Sequence, residues 1–99
     1  MGLNNPIPAN VSFTKRAVKD LTSIEKKDKV RFKRVWEDIK RFGYGKLPQP
    51  PKKLKGFQEA IWQIDSGAFR IFISYVQESI VIRGVLPKPD QKKRFQGMK

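Results

Sequence analysis

Arg70 stands in the middle of an alternating stretch, 69–75. Phe69, Ile71, Ile73 and Tyr75 fall on one side of it and Arg70, Phe72 and Ser74 on the other. A guanidinium emerging from the polar side of a strand can clamp a phosphate through two parallel hydrogen bonds. The preceding stretch, 60–65, sets Gln63 and Asp65 on the matching side, so a polar floor is expected beside Arg70. Basic residues from two further segments can converge on its edge: Lys52, Lys53 and Lys55 before it, and Lys88, Lys92, Lys93 and Arg94 after it. Lys88 is placed to stabilise negative charge building on a pentavalent phosphorus. Phe72, Trp62 and Phe95 are candidates to stack a base, a contact worth about 1–3 kcal/mol. Simpler readings compete. Arg70 could pair with Asp65 across the hairpin, Lys92-Lys93-Arg94 could be a solvated tail, and Trp62 shares a strand side with Ile64 and so could pack against helices.

The whole-chain charge points the same way. Twenty-two Lys and Arg against nine Asp and Glu leave +13, which destabilises a compact chain by self-repulsion unless an anion relieves it. Nucleic acid is the leading partner because phosphate neutralisation releases counterions. Acidic protein segments or anionic membranes could also offset the charge, or it could serve solubility alone. The absence of His and Cys excludes thiolate metal sites, disulfides and histidine-based nuclease chemistry. No run of about 18 apolar residues could span a bilayer, so no membrane partner and a cytoplasmic location are expected.

The elements that must carry these residues follow from periodicity. Residues 1–9, with Pro6 and Pro8, read as a flexible arm, and 10–99 as one domain, since 99 residues build a single core. Residues 10–13 alternate as a short strand. Thr14 can cap a helix through about Leu21, and the T-x-x-E string at 22–25 has the form of a capping box opening a second helix. On that helix Phe32, Val35, Trp36, Ile39 and Phe42 make an apolar stripe, with Lys33, Arg34, Glu37, Asp38, Lys40 and Arg41 off it, and Gly43 and Gly45 supply the stop. A proline-rich crossover leads to three strands, 60–65, 69–75 and 79–86, joined as a meander. Asp90 can cap a short terminal helix or open a tail. The expected class is α+β, order β-α-α-β-β-β, with two helices on one face of a small antiparallel sheet and the other face partly open.

This order, with FTKRAVKDL at 13–21, KLKG at 53–56, GAFR at 67–70 and the strand from 80 to 88 running into a basic tail, resembles the RelE/ParE superfamily of bacterial toxin–antitoxin toxins over 13–95. In its RelE branch the resemblance implies a ribosome-dependent mRNA endonuclease that stops translation without metal or other cofactor. It also implies an antitoxin that wraps the toxin, giving a toxin–antitoxin hetero-oligomer. Arg70 takes the place of the arginine in the G-x-[YF]-R string and Lys88 that of the basic residue beyond the last strand. Lys53 and Lys55 match the lysine-rich stretch before the sheet. Departures are evident: Gln63 and Asp65 stand where RelE proper has two catalytic lysines, and Phe95 lies near a family tyrosine. Asp65 is then the candidate general base. A ParE-like toxin that binds DNA gyrase and cuts nothing, and a non-toxic RNA-binding module, are the alternatives.

Overall fold

A computed structural model describes residues 10–47 and 49–88. The arm expected over 1–9, and Lys92, Lys93, Arg94 and Phe95 with the tail after Asp90, lie outside the described residues. After strand β1 (Val11–Phe13) comes helix α1 (Lys15–Lys27), capped by Thr14, whose side chain accepts from the Ala17 N–H at 3.1 Å. Ala17, Leu21 and Ile24, spaced by four and three, bury one stripe of α1. That stripe carries the helix straight through 22–25, so the capping box expected there is not used. The break comes at Asp28 instead. Its N–H donates to the Ile24 carbonyl at 2.8 Å, closing α1, and its carboxylate accepts from the Arg31 N–H at 3.1 Å, opening α2 (Lys29–Gly43). One residue thus serves both helix ends, using the strong N-cap preference of aspartate.

The rest of the chain supplies β2 (Lys52–Lys53), β3 (Trp62–Ser66), β4 (Phe69–Val76) and β5 (Ser79–Pro87). The five strands are ordered β1-β5-β4-β3-β2, with β1 parallel to β5 and every other pair antiparallel. The expected meander is β3-β4-β5, and the class and element order are as expected. The two-residue β2 is an addition, too short to show an alternating pattern.

Alternation along β3, β4 and β5 sends Ile64, Ile71, Ile73, Ile80 and Ile82 to the helices. There they meet Leu21, Ile24, Val35 and Ile39 in the main core. Trp36 lies within it, stacked between Phe13 at 5.8 Å and Phe32 at 6.0 Å. The opposite sheet face, expected to be partly open, is covered at its middle and exposed at the end that carries Asp65 and Lys88. Phe72 and Leu86 on that face are covered by Leu54, Phe57 and Ile61, making a second small core. The covering segment, 54–61, is closed by the Leu54 N–H donating to the Ile61 carbonyl at 2.8 Å. We call it the flap.

Pairing of β4 with β5 slips between Phe72 and Ile73, which face Gly84 and Ile82, so Arg83 is the extra residue of a β-bulge. The disturbed backbone is satisfied by α1 and its cap: the Thr14 hydroxyl donates to the Arg83 carbonyl and the Asp20 carboxylate accepts from the Val85 N–H, both at 3.1 Å. Gly84 suits this junction, because a Cβ there would lie 3.3 Å from Asp20 Oδ2.

Candidate nucleic-acid interface

The β3–β4 hairpin turns at Gly67, whose φ of +58° is the left-handed region that glycine enters without strain. Its tightness sets Asp65 directly opposite Arg70, and Arg70 Nε donates to Asp65 Oδ1 at 3.1 Å. The ion pair anticipated from sequence therefore forms. Asp65 is 58 % exposed, so the pair stabilises the fold by under about 1 kcal/mol. Nε is the nitrogen engaged; a guanidinium has two further NH₂ groups for an incoming anion.

Lys88 joins this end of the sheet. Its backbone N–H donates to the Ala68 carbonyl in the hairpin at 3.0 Å, and Pro87 before it pairs with Phe69, the neighbour of Arg70. Its side chain is exposed. Along β3, Gln63 faces Lys52 of β2, which puts Lys52 on the same side as Gln63 and Asp65. Lys53 turns to the other side, its ammonium 5.6 Å from the centre of the Trp62 ring, and so leaves the group. Lys55 is exposed on the flap. Arg70, Asp65, Gln63, Lys88 and Lys52 are thus gathered at one end of the sheet, while Lys53 belongs to a separate aromatic surface.

The stacking candidates resolve differently from expectation. Phe72 is fully buried beneath the flap and presents no face to a base, because Leu54, Phe57 and Ile61 cover it. Trp62 packs partly against the main core, as its shared side with Ile64 predicts, and meets Tyr75 edge-on at 4.8 Å. Burial raises the pKa of the Tyr75 hydroxyl above its ordinary value.

Two charged groupings escaped the sequence reading. Arg83, aimed outward by the bulge, holds Glu59 of the flap at 2.9 Å. A bulge leaves no pattern in a very apolar strand, so nothing marked it. The second grouping was legible: Arg34, Asp38 and Arg41 are spaced by four and three, one face of a helix. Asp38, assigned to the polar side, is only 5 % exposed. Its Oδ2 accepts from the Ser66 hydroxyl at 2.7 Å and from Arg34 Nε at 3.1 Å, and Arg41 lies 3.7 Å from Oδ1. These residues open onto a cavity of about 240 Å³ between α2 and the segment before β2, and Gln63 and Asp65 reach its far wall.

Comparison with solved structures finds this architecture elsewhere. A YoeB dimer from Staphylococcus aureus aligns at a TM-score of 0.64 and 19% identity, covering 80% of this chain and 95% of that one. An archaeal RelE–RelB complex from Pyrococcus horikoshii aligns at 0.60 and 24%, covering 79% and 92%. A RelB–RelE antitoxin–toxin complex from Methanococcus jannaschii aligns at 0.53 and 26%, covering 84% and 96%. The chain has the RelE/YoeB fold. No protein-family model matches it, and no curated protein matches it in sequence. The RelE/YoeB fold is what the strings at 13–21, 53–56 and 67–70 implied. Among the described residues no helix is long and apolar enough to cross a membrane.

Proposed function

We propose that this RelE/YoeB-fold chain is the toxin of a toxin–antitoxin pair and acts as a ribosome-dependent mRNA endonuclease that inhibits translation. The observation carrying this reading is the convergence of Arg70, Lys88 and Lys52 around Asp65 and Gln63 at one exposed end of the sheet, in a chain of net charge +13. The free NH₂ groups of Arg70 bind the non-bridging oxygens of the scissile phosphate, and Lys88 adds charge stabilisation as the pentavalent state forms. The strand is held so that a 2′-hydroxyl attacks the adjacent phosphorus in line. Its proton passes to the Asp65 carboxylate, the bond to the 5′-oxygen breaks, and water protonates that oxygen. The products are a 2′,3′-cyclic phosphate and a 5′-hydroxyl end. Lys55 on the flap, and Lys92, Lys93, Arg94 and Phe95 beyond it in sequence, extend the RNA contact. Lys53 contributes through long-range charge. A protein antitoxin would bind and neutralise the toxin; two of the structural relatives are RelE–RelB complexes, one of them described as antitoxin–toxin.

A second reading, a ParE-like toxin that binds gyrase, is favoured by one observation: Gln63 and Asp65 occupy the strand positions where RelE proper has lysines. Induced expression with mapping of mRNA 5′ ends separates the two. Cuts within translated codons, lost in Arg70→Ala and Lys88→Ala while melting changes by under about 1 kcal/mol, are expected. DNA-damage induction without cuts would select the gyrase reading. An Arg70→Ala protein that still cuts normally would remove Arg70 from the site.

A further inference from the structure

We infer that the cavity between α2 and the segment before β2 receives one nucleotide unit of single-stranded RNA, next to the Asp65–Arg70 pair. The inference rests on the ribonuclease reading for the identity of the strand but not for the presence of the site.

The cavity is built rather than incidental. Asp38 is buried and uses both carboxylate oxygens, holding Ser66 and Arg34 on one and Arg41 near the other. It therefore fixes two guanidiniums, 63% and 57% exposed, at the cavity mouth. Lys52 stands on the opposite wall with no ion-pair partner among the described residues. Of the two carboxylates lining the space, Asp38 is committed to the arginines and Asp65 to Arg70, which leaves a cationic mouth suited to a phosphate.

Behind the cations the lining changes character. Leu47, Pro50 and Ile64 contribute apolar residues, Gln49 a polar one, and Gln63, whose side chain alternates to the other sheet face, joins the lining at the edge of β3. The Gln63 side-chain oxygen is buried without a hydrogen-bond partner among the described residues, so a rotation that brings this amide to the cavity edge breaks no bond of that oxygen. An amide beside an apolar wall is the equipment that reads the edge of a base. A cavity of about 240 Å³ lies below the roughly 300–1,000 Å³ of enclosed ligand pockets, so, open at its mouth, it seats part of one nucleotide and not two. An acidic peptide would use the cations but leave the apolar wall and the amides without purpose.

The juxtaposition gives the site its role. Gln63 and Asp65 belong both to this cavity and to the Arg70–Lys88 group, so a nucleotide seated here would be adjacent to a phosphate on Arg70. The cavity would fix the register of the strand and supply base preference.

The test measures binding of the full chain to the four 5′-mononucleotides, to inorganic phosphate, and to a short 2′-O-methyl RNA that cannot be cleaved. At least one mononucleotide should bind more tightly than inorganic phosphate. Arg41→Ala and Arg34→Ala should each weaken it about ten-fold or more, the loss expected for a charge-assisted hydrogen bond. Lys19→Ala, on the exposed side of α1 and outside the cavity lining, should leave mononucleotide affinity within about two-fold. Thermal melting of each variant identifies any that fails to fold, and Arg41→Lys, which keeps the charge, should recover part of the affinity. If free nucleotides fail to bind but the modified RNA binds and is weakened by Arg41→Ala, the strand is the source of the nucleotide. Phosphate binding as tightly as every nucleotide would overturn the base-reading part. Unchanged affinity in folded Arg41→Ala and Arg34→Ala, or no binding of nucleotide or RNA, would overturn the site. Nucleotide binding without mRNA cutting in cells would remove the ribonuclease reading alone.

Discussion

Asp38→Ala should be among the more damaging single changes at the edge of the molecule, and its cost can be built from its contacts. The Ser66 hydroxyl, with no solvent exposure, loses its 2.7 Å acceptor, and a buried donor left unsatisfied costs about 1–3 kcal/mol. The links to Arg34 and Arg41 contribute less, about 0.5 kcal/mol each, because both guanidiniums are more than half exposed and rehydrate when released. The sum is about 2–4 kcal/mol. Ser66→Ala should cost about 1–2 kcal/mol, since the carboxylate keeps its arginines but loses its shortest bond.

The double variant is the decisive case. With Ser66 already alanine, removing Asp38 strands no hydroxyl, so the pair should be less destabilised than the sum of the single variants by about 1–2 kcal/mol. Urea unfolding followed by tryptophan fluorescence, with slopes shown to be equal across the set, measures all three. If the single effects add, or if Asp38→Ala costs under about 0.5 kcal/mol, the carboxylate is hydrated in solution and does not anchor the two arginines. The cavity mouth would then not be preorganised.

Other consequences are more direct. Trp36→Ala, which removes a ring stacked on both Phe13 and Phe32, should cost about 3–5 kcal/mol or unfold the protein in the same urea titration. Phe72→Ala should cost a similar amount, about 3–5 kcal/mol, and loosen the flap, read as faster amide exchange at Leu54, whose N–H closes that segment. Binding to ribosomes or model RNA should weaken steeply between low and physiological salt, and a flat response would refute phosphate neutralisation as the source of affinity. Gln63→Lys should raise mRNA cleavage in the 5′-end mapping assay by concentrating charge at the phosphate, whereas Asp65→Lys should lower it by removing the carboxylate that takes the 2′-hydroxyl proton; undiminished cleavage in Asp65→Lys would remove Asp65 as the base.

What was legible in the sequence is what periodicity controls. The 3.6-residue stripe from Phe32 to Phe42 and the two-residue alternation from Phe69 to Tyr75 each report burial against a single surface, and both elements formed where the pattern put them. Thr22–Glu25 misled because a capping box is only local chemistry. Leu21 and Ile24 have a core to fill, and that burial outweighs the cap by more than the cap is worth. Asp28 lacked a glutamate three residues on and so went unremarked, although Asp alone suffices at an N-cap. The flap was illegible for a different reason: Leu54, Phe57 and Ile61 have no regular spacing, and their common target, Phe72, was assigned to an open face.

The candidate site shows the same division. Arg70 and Asp65 could be paired on paper because a tight hairpin fixes its own register. Lys52 and Lys53 could not be separated, since a two-residue strand carries no pattern, yet adjacent residues on a strand must point to opposite sides. Once β2 pairs with β3, Lys52 is bound to join Gln63 and Lys53 to lie over Trp62. Stability and charge are correspondingly segregated. The flap and helices bury the middle of both sheet faces, while Asp65, Arg70 and Lys88 ride on a hairpin end whose backbone bonds hold without their side chains. A surface built this way can exchange its charged groups, lysines for Gln63 and Asp65 included, without disturbing the cores that position it.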